Sequence, residues 1–301
     1  MNSTRRAFLR TTAVTLATTA LPRLAIAAPA KARPLGFSLY GMKTLPIGEA
    51  IDHCARIGYD NIELCLMKDF PTELGKLSAA LQREVRDRIR DRGLELSSFL
   101  VGLDLSSRDQ TSHLNTIRQA GEIARQLNDG RPPLIESVTR GKSEDWEKTR
   151  SQLATNLRSW AEAAGANGVK VAVKAHYGHA VDRPDRLLWL YREVNHHALT
   201  LAYDYSHYQA EGFELEPSLR AIIPHTGFIH MKDIALGKKP VTYLLVGEGK
   251  VDYPKYFRLL RELQYAGPIL VEVSAQIHRA PNYEPVKTAE KCYAFLSRSL
   301  A

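Results

Sequence analysis

Ionisable side chains in this chain of 301 residues gather at the ends of short apolar runs. Glu63, Glu136, Asp204 and Glu272 each follow an apolar neighbour, Lys174 and His176 share one run, and His230, Lys232 and Asp233 share another. His207 lies just past Asp204. If the runs are strands, their period of two places Lys174 and His176 on one face, and His230 and Lys232 on one face. A single acid or histidine at a strand end is ordinarily a satisfied structural residue. The same event on five or six strands is different, because desolvating so many ionisable groups is costly unless they line a wet or metal-filled pocket. Such a set is suited to moving protons, holding a cation or stabilising developing negative charge.

Those residues need a frame, and the chain supplies a repeating one. Apolar, β-branched runs alternate with longer stretches of helical spacing, the pattern of a parallel sheet with helical crossovers. The strands expected are Leu35–Gly41, Asn61–Leu66, Leu94–Gly102, Pro133–Thr139, Lys170–His176, Leu199–Ser206, Gly227–Asp233 and Ile269–Ala275. Eight is the number that closes a (β/α)8 TIM barrel, whose active site lies at the carboxyl ends of the strands. Helices are expected over Ile47–Ile57, Leu77–Arg92, Thr111–Leu127, Ser143–Ala164, Asp185–Val194, Tyr253–Leu263 and Pro285–Leu296, with Gly58, Gly93 and Gly165 as caps. The element after the sixth strand is short and ill-defined in the sequence. Residues 234–252, with four glycines and prolines, read as a loop over the site. A doubly wound open sheet would carry a glycine-rich phosphate loop after its first strand, whereas this chain has Leu39-Tyr40-Gly41-Met42-Lys43 there.

The first residues read as an address rather than as fold. Arg5-Arg6 followed by Phe8-Leu9, a mildly apolar stretch from Thr11 to Leu21, and Ala25-Ile26-Ala27 have the form of a twin-arginine signal peptide over 1–27. The apolar stretch falls short of the roughly 20 residues that a membrane span needs, so no stable membrane insertion is expected. The reading predicts an exported, periplasmic protein with one domain over 28–301. Arg5, Arg6, Arg10 and Arg23 leave with the signal and take the formal charge from +8 to +4. That modest excess, with no basic run interleaved with aromatics, argues against nucleic acid as a partner. Three cysteines without a paired spacing, Cys54, Cys65 and Cys292, point to buried structural thiols. Monomer and homo-oligomer are both open at this stage.

Four runs carry a resemblance: Leu201-Ala202-Tyr203-Asp204-Tyr205-Ser206-His207, Phe228-Ile229-His230-Met231-Lys232-Asp233, Val246-Gly247-Glu248-Gly249-Lys250-Val251-Asp252-Tyr253 and Ile269-Leu270-Val271-Glu272. In order and approximate spacing they resemble the second half of the sugar phosphate isomerase/epimerase (xylose isomerase-like) barrels, and Asn61-Ile62-Glu63-Leu64 is similar to that family's second strand. The resemblance implies a divalent cation (manganese, magnesium or zinc) held by a glutamate on strand five, an aspartate on strand six, a histidine on strand seven and a glutamate on strand eight. The last three fall on Asp204, His230 and Glu272. The fifth-strand motif, glutamate-any-histidine in the family, reads Lys174-Ala175-His176 here. Two arrangements follow: a metal site with Lys174 as a neutral base, or a metal-free site in which the Lys174 ammonium takes the place of the ion.

The function expected is proton transfer beside a carbonyl of an unphosphorylated small-molecule carbohydrate, by an isomerase or epimerase with Lys174 and Glu272 as catalytic groups. Glu63, His176, His207 and Lys232 would bind substrate hydroxyls. The related β-elimination of a 3-keto-glycoside is the alternative. A non-catalytic sugar-binding barrel with a degenerate metal site would bind without turnover. A metal-dependent phosphodiesterase would need further metal ligands that His113, His176, His207, Glu136 and His225 do not supply in its pattern.

Overall fold

Short strands buried on both faces leave few backbone groups without partners only if the sheet has no edge, and closure into a barrel achieves that. A computed structural model describes residues 35–128, 130–237 and 240–300; the expected signal segment lies outside them. Eight parallel strands close in the order β1-β10-β7-β6-β5-β4-β3-β2. They are β1 (Leu35–Ser38), β2 (Asn61–Cys65), β3 (Glu95–Leu100), β4 (Leu134–Val138), β5 (Val171–Lys174), β6 (Leu199–Asp204), β7 (Thr226–Met231) and β10 (Ile269–Val271). Leu35 pairs with Ile269 on one side while Gly36 pairs with Asn61 on the other, which seals the barrel at β1. β8 (Asp233–Ala235) and β9 (Thr242–Leu244) form a separate antiparallel hairpin.

The eight expected strands are all present, each shorter than its apolar run by one to four residues. Several stop because the next residues begin another element. Ser38 accepts a hydrogen bond from the Tyr40 amide and caps a 3-10 turn, and Ser274 caps a short helix, Ala275–His278. The seven expected helices are also present, and the ill-defined stretch after β6 is two helices, Tyr205–Ala210 and Leu215–Ile222. The first is too short to show a period, and Gly212 at φ 84° breaks the chain between them.

Gly58 and Gly93 take the left-handed conformation after their helices, but Gly165 does not. The helix Trp146–Ala166 runs through it. A Cβ at Gly165 would stand 3.2 Å from that of Ala198, so the glycine serves a close approach, and the left-handed turn falls on Gly168.

One extensive apolar core joins helices and strands, with Trp160, Tyr203, Phe37 and Phe257 fully buried. A second, small cluster of Leu134, Ala172, Ala202, Phe228 and Leu270 is contributed by five barrel strands. Cys54, Cys65 and Cys292 are buried and free. Among the described residues no helix is long and apolar enough to cross a membrane.

Candidate active site

Alternation along the strands builds the site directly over that small cluster. Two residues beyond Leu134, Ala172, Ala202, Phe228 and Leu270 come Glu136, Lys174, Asp204, His230 and Glu272, on the same face of each strand and toward its carboxyl end. The plug excludes water from below, and the charged layer above it is nearly dry. The side chains of Glu136, Asp204 and His230 have no exposure, Lys174 and Lys232 retain 3%, and Glu272 retains 12%. Glu272 is therefore the charged group of this layer that a ligand in the mouth meets first.

Lys174 is the hub. Its Nζ lies 2.7 Å from Glu272 Oε2, 2.8 Å from His230 Nδ1, 3.4 Å from Glu136 Oε1 and 3.7 Å from Asp204 Oδ2. Burial disfavours its charge, but the carboxylates of Glu136, Glu272 and Asp204 outweigh burial and hold its pKa well above the usual lysine value. Among these carboxylates the protonated ammonium is the favoured form of Lys174. His230 Nδ1 faces Glu272 Oε2 at 2.8 Å as well as Lys174, and its Nε2 faces Glu63 Oε1 at 3.2 Å; burial and Lys174 oppose a charge on the ring, but Glu63 and Glu272 outweigh them and raise its pKa to about 9.

Lys232 forms the second positive post, bonded to Asp204 Oδ2 and 3.0 Å from Glu272 Oε2. Burial raises the carboxyl pKa of Glu272, but Lys174, Lys232 and His230 reverse it and leave the group well below the carboxylate range. Asp204 behaves alike: Lys232, His207 and Lys174 overcome burial. Glu136 has the weaker compensation, and burial lifts it to about 7.

Asp204 also accepts from the Ser206 hydroxyl at 2.6 Å, which ties β6 to the helix after it. His207 Nε2 lies 3.3 Å from Asp204 Oδ2, and the Tyr243 hydroxyl meets His207 Nδ1 at 3.1 Å. Burial lowers His207 to about 4, so its ring is neutral at physiological pH. His176 stacks between His207 and His179, with centroids 4.0 and 4.1 Å away. Burial and the His207 neighbour hold it well below the ordinary histidine value.

The structure brings Lys174, His176, Asp204, His207, His230, Lys232 and Glu272 together around one mouth. Glu63 is the exception among the expected site residues. Its oxygens accept from Ser38 at 2.5 Å and Ser98 at 2.6 Å, it is fully buried, and it abuts His230 from below. With both oxygens engaged it orients the imidazole rather than binding a substrate hydroxyl. Ser38, Ser98, Glu136 and Tyr243 were not assigned roles from sequence. The serines and Glu136 carry the period-two signal, but a serine at an inward position has no type-specific mark, and Tyr243 arrives from a loop.

Asp204, His230 and Glu272 each offer one ligand atom within 4.8 Å of the others, a donor set able to hold a metal ion. An ion coordinated by such atoms would sit about 2.0–2.3 Å from each. The Lys174 ammonium already stands between them, at bonding distance from two. A divalent ion even 5 Å from it would be repelled by roughly 7 kcal/mol at an effective dielectric near 20. With Lys174 in this position the residues do not fit a divalent cation.

Comparison with known proteins bears on this geometry. Residues 51–296 match the family model described as xylose isomerase-like TIM barrel. An inosose dehydratase of Geobacillus kaustophilus is 21% identical over 252 residues, covering 73% of this chain and 80% of that protein. The structure of a D-allulose 3-epimerase from Methylomonas sp. superposes with a TM-score of 0.70 at 19% identity, over 90% of this chain and 99% of that one. A probable 3-DHS dehydratase from Bacillus anthracis gives 0.72 at 16% identity, over 88% and 98%.

Proposed function

The chain belongs to the xylose isomerase-like TIM barrel family, and from that premise we propose that it is an enzyme moving a proton at a carbon beside a carbonyl of an unphosphorylated carbohydrate, as an isomerase or epimerase does. The observation that carries this is the placement of Glu272: a carboxylate at the mouth, with an ammonium 2.7 Å away and another at 3.0 Å. A carboxylate removes the proton, and neighbouring N–H donors stabilise the oxygen on which charge develops.

In the resting site both lysines hold Glu272 in its ionised form and so weaken it as a base. A carbonyl oxygen that accepted from Lys232 would draw part of that ammonium's charge from Glu272 and raise its basicity, which couples substrate binding to proton removal. His207, His176 and Tyr243 line the same mouth and supply polar edges and ring faces for sugar hydroxyls and C–H faces. The epimerase and dehydratases that the chain resembles support a reaction of this class.

A second reading, β-elimination from a keto-glycoside, is favoured by one feature. Glu272 and Lys174 touch one another, so base and acid stand on one side of the pocket, where removal of a proton and departure of a neighbouring oxygen are served together. Epimerisation at one carbon is served best by groups on opposite faces. Incubating the protein with unphosphorylated ketoses and 3-keto-glycosides in D2O, followed by proton NMR, separates the readings. Deuterium entering beside the carbonyl with a new isomer marks the first reading, and release of the glycosidic alcohol marks the second. Ligand-induced shifts with no exchange on any substrate would refute both.

The reading extends to the whole chain: a twin-arginine signal over 1–27 exports a single catalytic domain, 28–301, to the periplasm. Arg5-Arg6-Ala7-Phe8-Leu9 and the small residues before Ala28 support it.

A further inference from the structure

We propose that Lys174 and Lys232 together form a built-in cation: their side-chain nitrogens hold the electrophilic post among Asp204, His230 and Glu272, so the enzyme polarises a substrate carbonyl with N–H donors and binds no divalent metal there. The carbonyl part of this inference rests on the proton-transfer reading above. The part concerning metal stands without it.

Asp204, His230 and Glu272 converge as a ligand set does, yet the point of convergence is occupied by a side chain of the same protein, delivered by the neighbouring strand. β5 pairs with β6 and β6 with β7, so Lys174, Asp204 and His230 come from three adjacent strands, and Lys232 follows directly after β7. Glu272 Oε2 accepts from both lysines, and Asp204 Oδ2 accepts from Lys232 with Lys174 close by.

Two lysines face Asp204 and Glu272 directly, with Glu136 Oε1 3.4 Å from Lys174, so the carboxylates are offset by cations of the chain itself. An ammonium has three N–H donors. Lys174 donates to Glu272 Oε2 and is flanked by His230 Nδ1 at 2.8 Å and Glu136 Oε1 at 3.4 Å. Lys232 has two carboxylate partners and lies under the Tyr243 ring, 5.6 Å from its centroid. Its third donor is the one left for a ligand oxygen.

In the proposed step, Glu272 takes the proton from the carbon beside the carbonyl, and the C–H electron pair becomes the new carbon–carbon double bond. The carbonyl π pair moves onto oxygen, where Lys232 donates a hydrogen bond. Returning the proton from Glu272 to the adjacent carbon, with proton movement between the two oxygens, gives the isomer. In the elimination the enolate pair reforms the carbonyl, the carbon–carbon double bond shifts to the β-carbon as the β-oxygen leaves with its bonding pair, and that oxygen takes up the proton held by Glu272; nothing is oxidised or reduced overall.

The test is metal stoichiometry in the full chain. Native protein and a Lys174→Glu variant are equilibrated with Mn2+, freed of unbound ion by gel filtration and measured by mass spectrometry of the metal. The native protein is expected to retain under about 0.1 equivalent and Lys174→Glu about one, since the variant completes the carboxylate–imidazole set. About one equivalent in the native protein, lost on Asp204→Asn, would overturn the proposal. Should Lys174→Glu fail to fold, the native protein still decides. A Mn2+ titration without heat and a melting curve unmoved by EDTA or Mn2+ sustain it, whereas saturable binding with a rise in Tm of several degrees defeats it. Absence of deuterium exchange on every sugar would count against the reaction but would leave the metal result readable.

Discussion

A carboxylate surrounded by ammonium groups is a stable anion and a poor base until one of those groups is drawn away, and Glu272 sits in that condition between Lys174 and Lys232. Glu272→Gln keeps an oxygen for both lysines while removing the base. It should lower substrate deuterium exchange by about 10²–10⁴-fold with near-ultraviolet circular dichroism unchanged, read by NMR on variant and native protein side by side. An equal rate in the variant would move the base elsewhere. At this scale the residue types of the site were legible, because acids, lysines and histidines at strand ends in an apolar pattern are hard to explain otherwise. Their partnerships were not. That Glu63 is spent on Ser38, Ser98 and His230, and that Lys174 stays charged, depends on distances between side chains from different strands.

Strands place residues, and the hairpin of β8 and β9 closes over what they place. Asp233 holds its return: Gly247 N and Gly249 N each donate to Oδ2 at 2.9 Å, and the Tyr253 hydroxyl donates to Oδ1 at 2.9 Å. Gln276 ties the hairpin to the short helix after β10, accepting from Tyr243 N and donating to Val241 O. Asp233→Ala removes the acceptor of three donors, of which the buried Tyr253 hydroxyl is left unsatisfied at about 1–3 kcal/mol. Amide exchange over 242–249 should then quicken by at least tenfold, and because Tyr243 would lose its hold on His207, KM should rise more than kcat falls. Exchange unchanged by mass spectrometry would show that the hairpin is held by other contacts. The sequence indicates a loop over the site here, with three glycines and a proline in it. The pairing of Asp233 with Leu244 is a tertiary result, since two three-residue strands have no period to read.

For the whole molecule, the arginine pair bears on where the barrel works. Lysines at positions 5 and 6 should trap precursor in the cytoplasm, while the unaltered chain should appear in the periplasmic fraction beginning at Ala28; fractionation with amino-terminal sequencing reads both. Export of a mutant as efficient as the native chain would discard the twin-arginine route. The barrel's three thiols are buried and unpaired, so its fold rests on no disulfide among them. The sequence by itself determined the eight strands, most of the helices and the barrel that they imply. Those features follow from local periodicity, and a closed parallel sheet is the arrangement that buries such runs on both faces. Only the tertiary structure decided what the site is, because closure brings residues from 38 to 272 within a few ångströms. Whether a lysine there is a base, a salt-bridge partner or a stand-in for a cation is set by the carboxylates that meet it.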